Sequence, residues 1–368
     1  MPGPLEGLRV LELGGIGPGP HAAMILGDLG ADVVRVDRPS TNVLTPVPEK
    51  DQLLRNRRSV TADLKDPDDL ARVLTWVDDA DVLIEGFRPG VAERIGIGPD
   101  ECRHRNPRLV YGRMTGWGQD GAMSHLAGHD LNFVAITGVL SAIAREGQPP
   151  TVPLNLVGDY GGGSMLLLVG ILAALWERER SGEGQVIDAS MVDGIALLSQ
   201  AFWSLRGRGE WVGEPASNVV DGGAPFYDVY ECADGGHLAI APLEPGFYSI
   251  LLERLGLSSE SLPPQFDRAR WPELREHITH AVKVRSRDEW TAVFADTDAC
   301  VTPVLSFDEA EHHQHLRSRG TLIDVGGVVQ AAPAPRFSRT PPETPRPPRR
   351  QGQDNDALSE NGWGDARR

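Results

Sequence analysis

Hydrophobic residues in the first third of the chain fall into short continuous runs separated by polar, helix-patterned stretches. Leu8–Leu13 and Val33–Val36 are mostly apolar, interrupted only by Arg9, Glu12 and Arg35, and read as buried strands. Between them His21–Leu29 has helical spacing and stops at Gly30, the residue type that most readily follows a helix end. Val60–Leu64 predicts a further strand. Asp66-Pro67 then supplies a capping carboxylate and a proline at the first helical position, predicting a helix to about Val77. Asp81–Phe87 and Leu109–Met114 return as strands. Repeated units of this kind predict an α/β fold: a doubly wound, mostly parallel, Rossmann-like sheet with helices on both faces.

The texture changes after Gly116. A loop-rich stretch runs to Asp159, an apolar helix follows through Trp176, Gln185–Ala189 reads as a strand and Met191–Leu205 as a helix. From Gly222, "APFYDVYECADGGHLAIAP" predicts a hairpin turning at Ala233-Asp234-Gly235-Gly236. Helices are expected around Phe247–Leu255, Pro272–Val284 and Arg287–Ala295. The expected organisation is a large α/β domain from residues 1–205 and 330–368, a linker over 206–221, and a smaller α+β domain over 222–324. The last forty residues, rich in Pro and Arg, are expected to be extended or disordered and to pack back on the large domain at Phe337.

Composition narrows the function classes. A formal charge of −16 argues against nucleic-acid binding, which needs a basic face to neutralise phosphates. Cys102, Cys232 and Cys300 are scattered and odd in number, fitting a reducing cytoplasm rather than a disulfide framework or zinc knuckle. The N-terminus lacks the basic and apolar regions of a signal peptide. The apolar run Tyr160–Trp176 is shorter than the ~20 residues a bilayer span requires, so no membrane partner is expected. His277, His280, His312, His313 and His315 stand in no H-E-x-x-H arrangement, and no metal is expected.

Candidate chemistry begins at Gly17-Pro18-Gly19-Pro20-His21-Ala22, which fits G-x-G-x-x-A, with Asp37 about twenty residues on. Pro18 and Pro20 have no N–H to offer a pyrophosphate. A tight strand-to-helix turn is therefore favoured over an NAD site. Arg35, Arg38, Arg55, Arg57, Arg58 and Lys65 crowd the same region. They suit a ligand with several phosphates, coenzyme A as well as NADP, or equally salt bridges to Asp63, Asp66 and Asp68. Further on, "AGHDLNF" carries His129 and Asp130, and "PLNLVGDYGGGSM" carries Asn155 and Asp159. Asp159 reads as the N-cap of the apolar helix. Gly161-Gly162-Gly163 is costly there unless something approaches the backbone closely. A His and an Asp facing each other across a site can take a proton from one face of a carbon and return one to the other.

Together with "LRNRRSVTADLK", "LIEGFRPGVAERIG", "RMTGWGQDG", "GEGQVIDASMVDG" and "PAPRFSRT", these segments resemble the α-methylacyl-CoA racemases of the CaiB/BaiF group, with the class III CoA-transferase fold. The resemblance covers the chain to about Thr340. It implies an isomerase without a dissociable cofactor that acts on the 2-methyl-branched acyl group of a CoA thioester. His129 and Asp159 would form the acid–base pair, with Asn155 and Glu244 supporting it. CoA contacts would fall on Arg38, on Ala62, Asp63, Leu64 and Lys65, on Gly86, Phe87 and Arg88, on Arg94, and on the loop Gly128, Asp130, Leu131, Asn132 and Phe133. The resemblance also implies an interlocked homodimer whose active site is shared between subunits. A CoA transferase using Asp159 as nucleophile is the alternative on the same fold.

Overall fold

The computed structural model describes residues 3–40 and 47–363 and divides into two compact units. One gathers residues 1–137, 153–199 and 315–368, the other residues 138–152 and 200–314. The helix expected over Met191–Leu205 breaks at Ser199, where the first unit's central segment ends. Residues 138–152, placed by sequence in the large domain, belong to the second unit.

The first unit is built on a six-stranded sheet of β1 (Arg9–Leu13), β2 (Asp32–Asp37), β3 (Arg57–Thr61), β4 (Val82–Glu85), β5 (Val110–Thr115) and β6 (Val186–Ser190). All five pairings are parallel, in the order β3-β2-β1-β4-β5-β6. β1, β2 and β4 are buried along most of their length because helices cover both faces, which is why they read as mostly apolar runs, whereas β6 is buried only at Ala189 and Ser190. The strand order reverses between β1 and β4, so the loops leaving their carboxyl ends flank a crevice.

The helix after β1 starts earlier than its apolar pattern, at Pro18, and runs to Asp28. Its first turn is Pro18-Gly19-Pro20, where a missing N–H costs no intrahelical bond. Asp66 caps the helix Pro67–Val77 as expected, accepting the N–H groups of Asp68 and Asp69.

The arginine cluster resolves differently from either sequence reading. Arg35 pairs with buried Glu12, its register neighbour across β1 and β2, and with Asp37 at 2.9 Å. Arg57 Nε lies 2.7 Å from the other Glu12 oxygen. Arg55 pairs with Asp28, and Arg58 with Asp32, each at 2.5 Å. Four of the six cations are therefore committed to internal ion pairs with Glu12, Asp28, Asp32 and Asp37. None of the four pairs with Asp63, Asp66 or Asp68.

The apolar run Tyr160–Trp176 is part of a longer helical stretch, Leu154–Ser181, which is 28 residues long. The sequence expectation about its length is thus corrected: by length and composition alone it could cross a membrane. One face is buried, however, with Leu167 and Ile171 over Gly112 of β5. Near its end the buried Arg178 pairs with Asp81 at 2.9 Å.

The second unit holds the expected hairpin, β7 (Asp228–Glu231) and β8 (His237–Ile240), extended by an unexpected third strand, β9 (Val301–Pro303). Helices Pro245–Leu255, Trp271–Val282 and Arg287–Phe294 lie within two residues of their expected ends. They close a core around Phe226, Trp271 and Trp290.

The chain's last part returns to the first unit. A further hairpin, this one not expected, is β10 (Leu322–Val325) and β11 (Val328–Ala331), which turns at Gly326-Gly327, both with positive φ. Phe337 is half-buried, but the principal anchor lies further on. Residues 341–350 form no helix or strand, whereas Asn355–Asn361 is helical and Trp363 is buried, donating its Nε1–H to Trp76 O at 2.8 Å. The expectation of a disordered end is corrected to this point; residues 364–368 lie outside the described residues. The segment holds the free edge of β3. Asp354 and Asn355 accept the N–H groups of Ser59 and Thr61, and Ser59 O accepts the Asp354 N–H.

Candidate active site

The turn Gly14–Gly17 leaves the carboxyl end of β1, and Gly17 adopts φ +70°, ψ −120°, a conformation that only glycine takes readily. A Cβ placed on Gly17 would come within 3.2 Å of Asp159 Oδ2. The glycine turn at the start of the chain is thus the wall against which the candidate catalytic carboxylate rests.

Asp159 is not an N-cap. It is the third residue of a π-helix, Val157–Met165, that continues into the helix Leu166–Ser181. A one-turn 3₁₀ helix, Leu154–Leu156, precedes it, and Leu154 holds a positive φ of 59°. π-Helical turns are rare and concentrate at functional sites. This turn brings Asn155 back beneath Asp159, where Asn155 Nδ2 donates to Oδ2 at 3.0 Å. The following glycines pack tightly, as their cost predicted. Gly162 meets Gly194 and Ile195 of the helix Met191–Leu198, and Gly163 meets Pro18.

His129 stands exposed at the N-cap of a short helix, Asp130–Ile136, its N–H donating to Asn132 Oδ1 at 3.1 Å. Asp130 is buried, and its Oδ1 accepts the Asp159 N–H at 2.8 Å. Gly158 makes room for that carboxylate, since a Cβ there would lie 2.3 Å from Asp130 Oδ1. Burial pushes the Asp159 carboxyl above the ordinary aspartate range, and the charge of Asp130 adds to the rise. The Asn155 hydrogen bond and the nearby His129 act in the opposite direction. The result is a half-buried carboxylate with raised proton affinity, tied to a segment that presents an exposed imidazole.

A second grouping lies at the carboxyl ends of β1 to β4, beside the crevice. Arg38, Ala62, Asp63, Leu64, Lys65 and Phe87 line one pocket with Leu13, Gly14, Val36 and Ile95. Phe87 is fixed by its own N–H, which donates to the buried Glu85 carboxylate at 2.6 Å. Gly86, Arg88 and Arg94 flank this pocket in the chain and are exposed at its Phe87 and Ile95 sides. The loop at 128–133 divides. Leu131 and Asn132 are exposed, whereas Asp130 and Phe133 turn inward, Phe133 meeting Trp117 edge-on at 4.6 Å. Glu244 lies in the second unit at the N-cap of the helix Pro245–Leu255, exposed and making no capping bond.

Two features escaped sequence reading. The contact of Gly17 with Asp159 joins residues 142 positions apart, and the only local signal was a glycine ahead of two prolines. The bond from Asp130 to the Asp159 backbone was hidden because an acidic residue at a helix start has an ordinary reading of its own. Among the described residues no group of three or more His, Cys, Asp or Glu side chains could hold a metal ion.

Comparison with known proteins shows the resemblance over 92% of the chain. It is 46% identical to the alpha-methylacyl-CoA racemase of Mus musculus and 44% identical to that of Homo sapiens. Each match covers 92% of this chain and 87% of the relative. The crystal structure of a CAIB/BAIF family protein from Brucella suis shares its fold, with a TM-score of 0.84 over 98% of this chain and 99% of that one at 24% identity. The family description "CoA-transferase family III" matches residues 5–355, spanning the glycine turn, the Asp130–Asp159 link and the tail that closes β3. The chain belongs to CoA-transferase family III.

Proposed function

We propose that this chain racemises 2-methylacyl-CoA thioesters by moving the proton on C2, with His129 and Asp159 as the two proton-transferring groups. The observation that carries the reading is the raised, half-buried Asp159 carboxylate tied through Asp130 to the His129 segment. In one direction Asp159 takes the α-proton, the C–H electron pair delocalises into the thioester as an enolate, and protonated His129 returns a proton to the opposite face. The reverse direction exchanges the roles. A carboxylate of raised proton affinity is the better base for a weakly acidic C–H. The N–H groups of Asn132 and Phe133 already donate to His129 O, so those of Asp130 and Leu131, ahead of them at the start of the helix Asp130–Ile136, are the candidate donors to the enolate oxygen. The thioester is its own electron sink, so the proposal includes no dissociable cofactor.

The CoA end is assigned to the pocket of Arg38, Ala62–Lys65 and Phe87, where Arg38 and Lys65 are the cations for phosphate. Apolar side chains adjoin the proton-transferring residues in the chain and are exposed: Ile16 beside Gly17, Leu154 and Leu156 around Asn155, and Leu131 after Asp130. They suit an acyl chain. The proposal also includes an interlocked homodimer in which Glu244 acts across subunits. Its support is the exposed stripe Met165, Val169, Leu172 and Trp176 on the long helix, continued by Leu197 and Leu198 on the next. Light scattering on Val169→Glu tests it, with loss of the dimer expected and an unchanged mass overturning the assignment of that face.

The activity is tested with enantiopure 2-methylacyl-CoA in D₂O. Loss of optical purity and uptake of deuterium at C2 are expected without any acceptor acid, and His129→Ala should abolish the loss of optical purity and confine any remaining exchange to the enantiomer that Asp159 deprotonates. Transfer of CoA to a free acid with no exchange would establish the transferase chemistry instead, for which Asp159 would be the nucleophile and His129 superfluous.

A further inference from the structure

We propose that Asp130 is the positioning residue that holds the two proton-transferring groups in register, its carboxylate clamping the backbone of Asp159 while its neighbour His129 is fixed by the same helix start. This rests on the racemase reading and assigns Asp130 a task different from the CoA contact that family resemblance implies.

His129 and Asp159 stand on separate elements, a seven-residue helix and a π-helix. The Asp159 N–H lies in the first turn of that π-helix, where no earlier carbonyl of the same helix can accept it. Asp130 supplies the acceptor from outside, at 2.8 Å, and is itself buried. Residue 158 is a glycine, so nothing stands between the carboxylate and that backbone, and Val134, one turn along, packs on the same glycine. The His129 N–H is held by Asn132 at 3.1 Å from within the same helix. The imidazole and the carboxylate are therefore joined through one residue's side chain, and a buried carboxylate directed at a backbone N–H is poorly placed to touch a ligand.

The groups facing Asp159 are few. Asp130 and His129 come from the short helix and Asn155 from the preceding turn. Helix Pro18–Asp28 presents His21, engaged by Ser164 at 2.7 Å and by the Tyr160 ring, and helix Met191–Leu198 carries Asp193, bonded to Ser190 at 2.6 Å. Asp130 is the anionic neighbour among those acting directly on Asp159, so changing its charge and changing its hydrogen bond are separable experiments.

Asp130→Ala removes both, and Asp130→Asn keeps an amide oxygen as acceptor and removes the charge. For Ala the expected result is a fall in kcat for deuterium exchange of about 10- to 100-fold, the scale of a misplaced reacting group, with KM for the acyl-CoA within about twofold of wild type. For Asn, kcat should be largely restored and the acidic limb of the pH–rate profile should move to lower pH. Hydrogen–deuterium exchange of the 157–165 segment provides a readout independent of activity, with protection lost in the Ala variant and kept in the Asn variant. A rise in KM at unchanged kcat in either variant, or unaltered protection in Ala, would overturn the clamp. If Ala fails to fold, the Asn profile decides, and an unshifted limb overturns the charge contribution. Wild-type protein that exchanges no α-proton refutes the racemase reading separately, leaving the protection experiment to judge the clamp.

Discussion

Gly17→Ala tests the link between the first turn of the chain and Asp159, the carboxylate proposed to transfer the proton. Two effects add. The backbone at φ +70°, ψ −120° is a sparsely populated region for an alanine, costing about 2 kcal/mol. For a unit of this size that corresponds to roughly 4–8 °C in Tm. The new Cβ would also lie 3.2 Å from Asp159 Oδ2 and 3.4 Å from its Cγ, so the carboxylate must retreat by a few tenths of an ångström. That same oxygen accepts the Asn155 hydrogen bond at 3.0 Å, which the retreat would disturb. If a 1 Å misplacement costs on the order of 100-fold, such a shift lowers the exchange rate by about 4- to 10-fold. Gly15→Ala is the control, since its Cβ would meet nothing nearer than Leu13 O at 4.0 Å and its φ is not positive. Thermal melts and deuterium uptake at C2 are measured on both. A Gly17→Ala protein that melts and exchanges like Gly15→Ala would refute both the strain and the contact.

Glu12→Gln should destabilise the first unit by about 3 kcal/mol, because buried Arg35 and Arg57 lose their shared counter-charge; a denaturant midpoint within error of wild type would contradict this. Trp363→Ala should cost about 3–5 kcal/mol, removing a buried ring stacked by Arg9 and Arg58 at 5.9 and 5.6 Å, as read by the same titration. The acidic limb of the exchange profile should lie above the pKa of an ordinary aspartate, since Asp159 must lose its proton to act as base and burial raises its pKa. Stability runs the other way: between the unfolded and the raised folded pKa the native state holds the extra proton, so this group's contribution is present below the unfolded pKa and falls as pH rises through that window. A limb at or below the ordinary value would remove the argument for Asp159 as the tuned base.

The parallel sheet was legible because strands buried on both faces announce themselves as apolar runs, and the helix at Asp66-Pro67 because its cap is local. What failed was non-local. The arginines at 35, 55, 57 and 58 were weighed against Asp63, Asp66 and Asp68, their neighbours in sequence, whereas parallel register sets Glu12 beside Arg35 and brings Asp32 to Arg58. β9, β10 and β11 are three or four residues long and carry too little pattern to be read alone. The proline-rich composition of the tail hid Leu358 and Trp363, two apolar residues that dock in the large core. At the candidate site, motifs singled out 129, 155 and 159, and the structure brings Asn155 and Asp159 together at 3.0 Å. The π-helix was not legible, because Asp ahead of an apolar helix resembles a cap whether or not the preceding turn already belongs to the helix.

The seam between β3 and the C-terminal segment bears on how the protein is made. Ser59 and its partner Asp354 are separated by 295 residues, which take on the order of 15–60 s to translate at about 5–20 residues per second. For that interval the nascent chain carries a β3 whose outer N–H groups have no native partner, a template for pairing with another chain. The sheet's edge is therefore completed only once the C-terminal segment has been made, and until then β3 is the strand open to pairing with another chain.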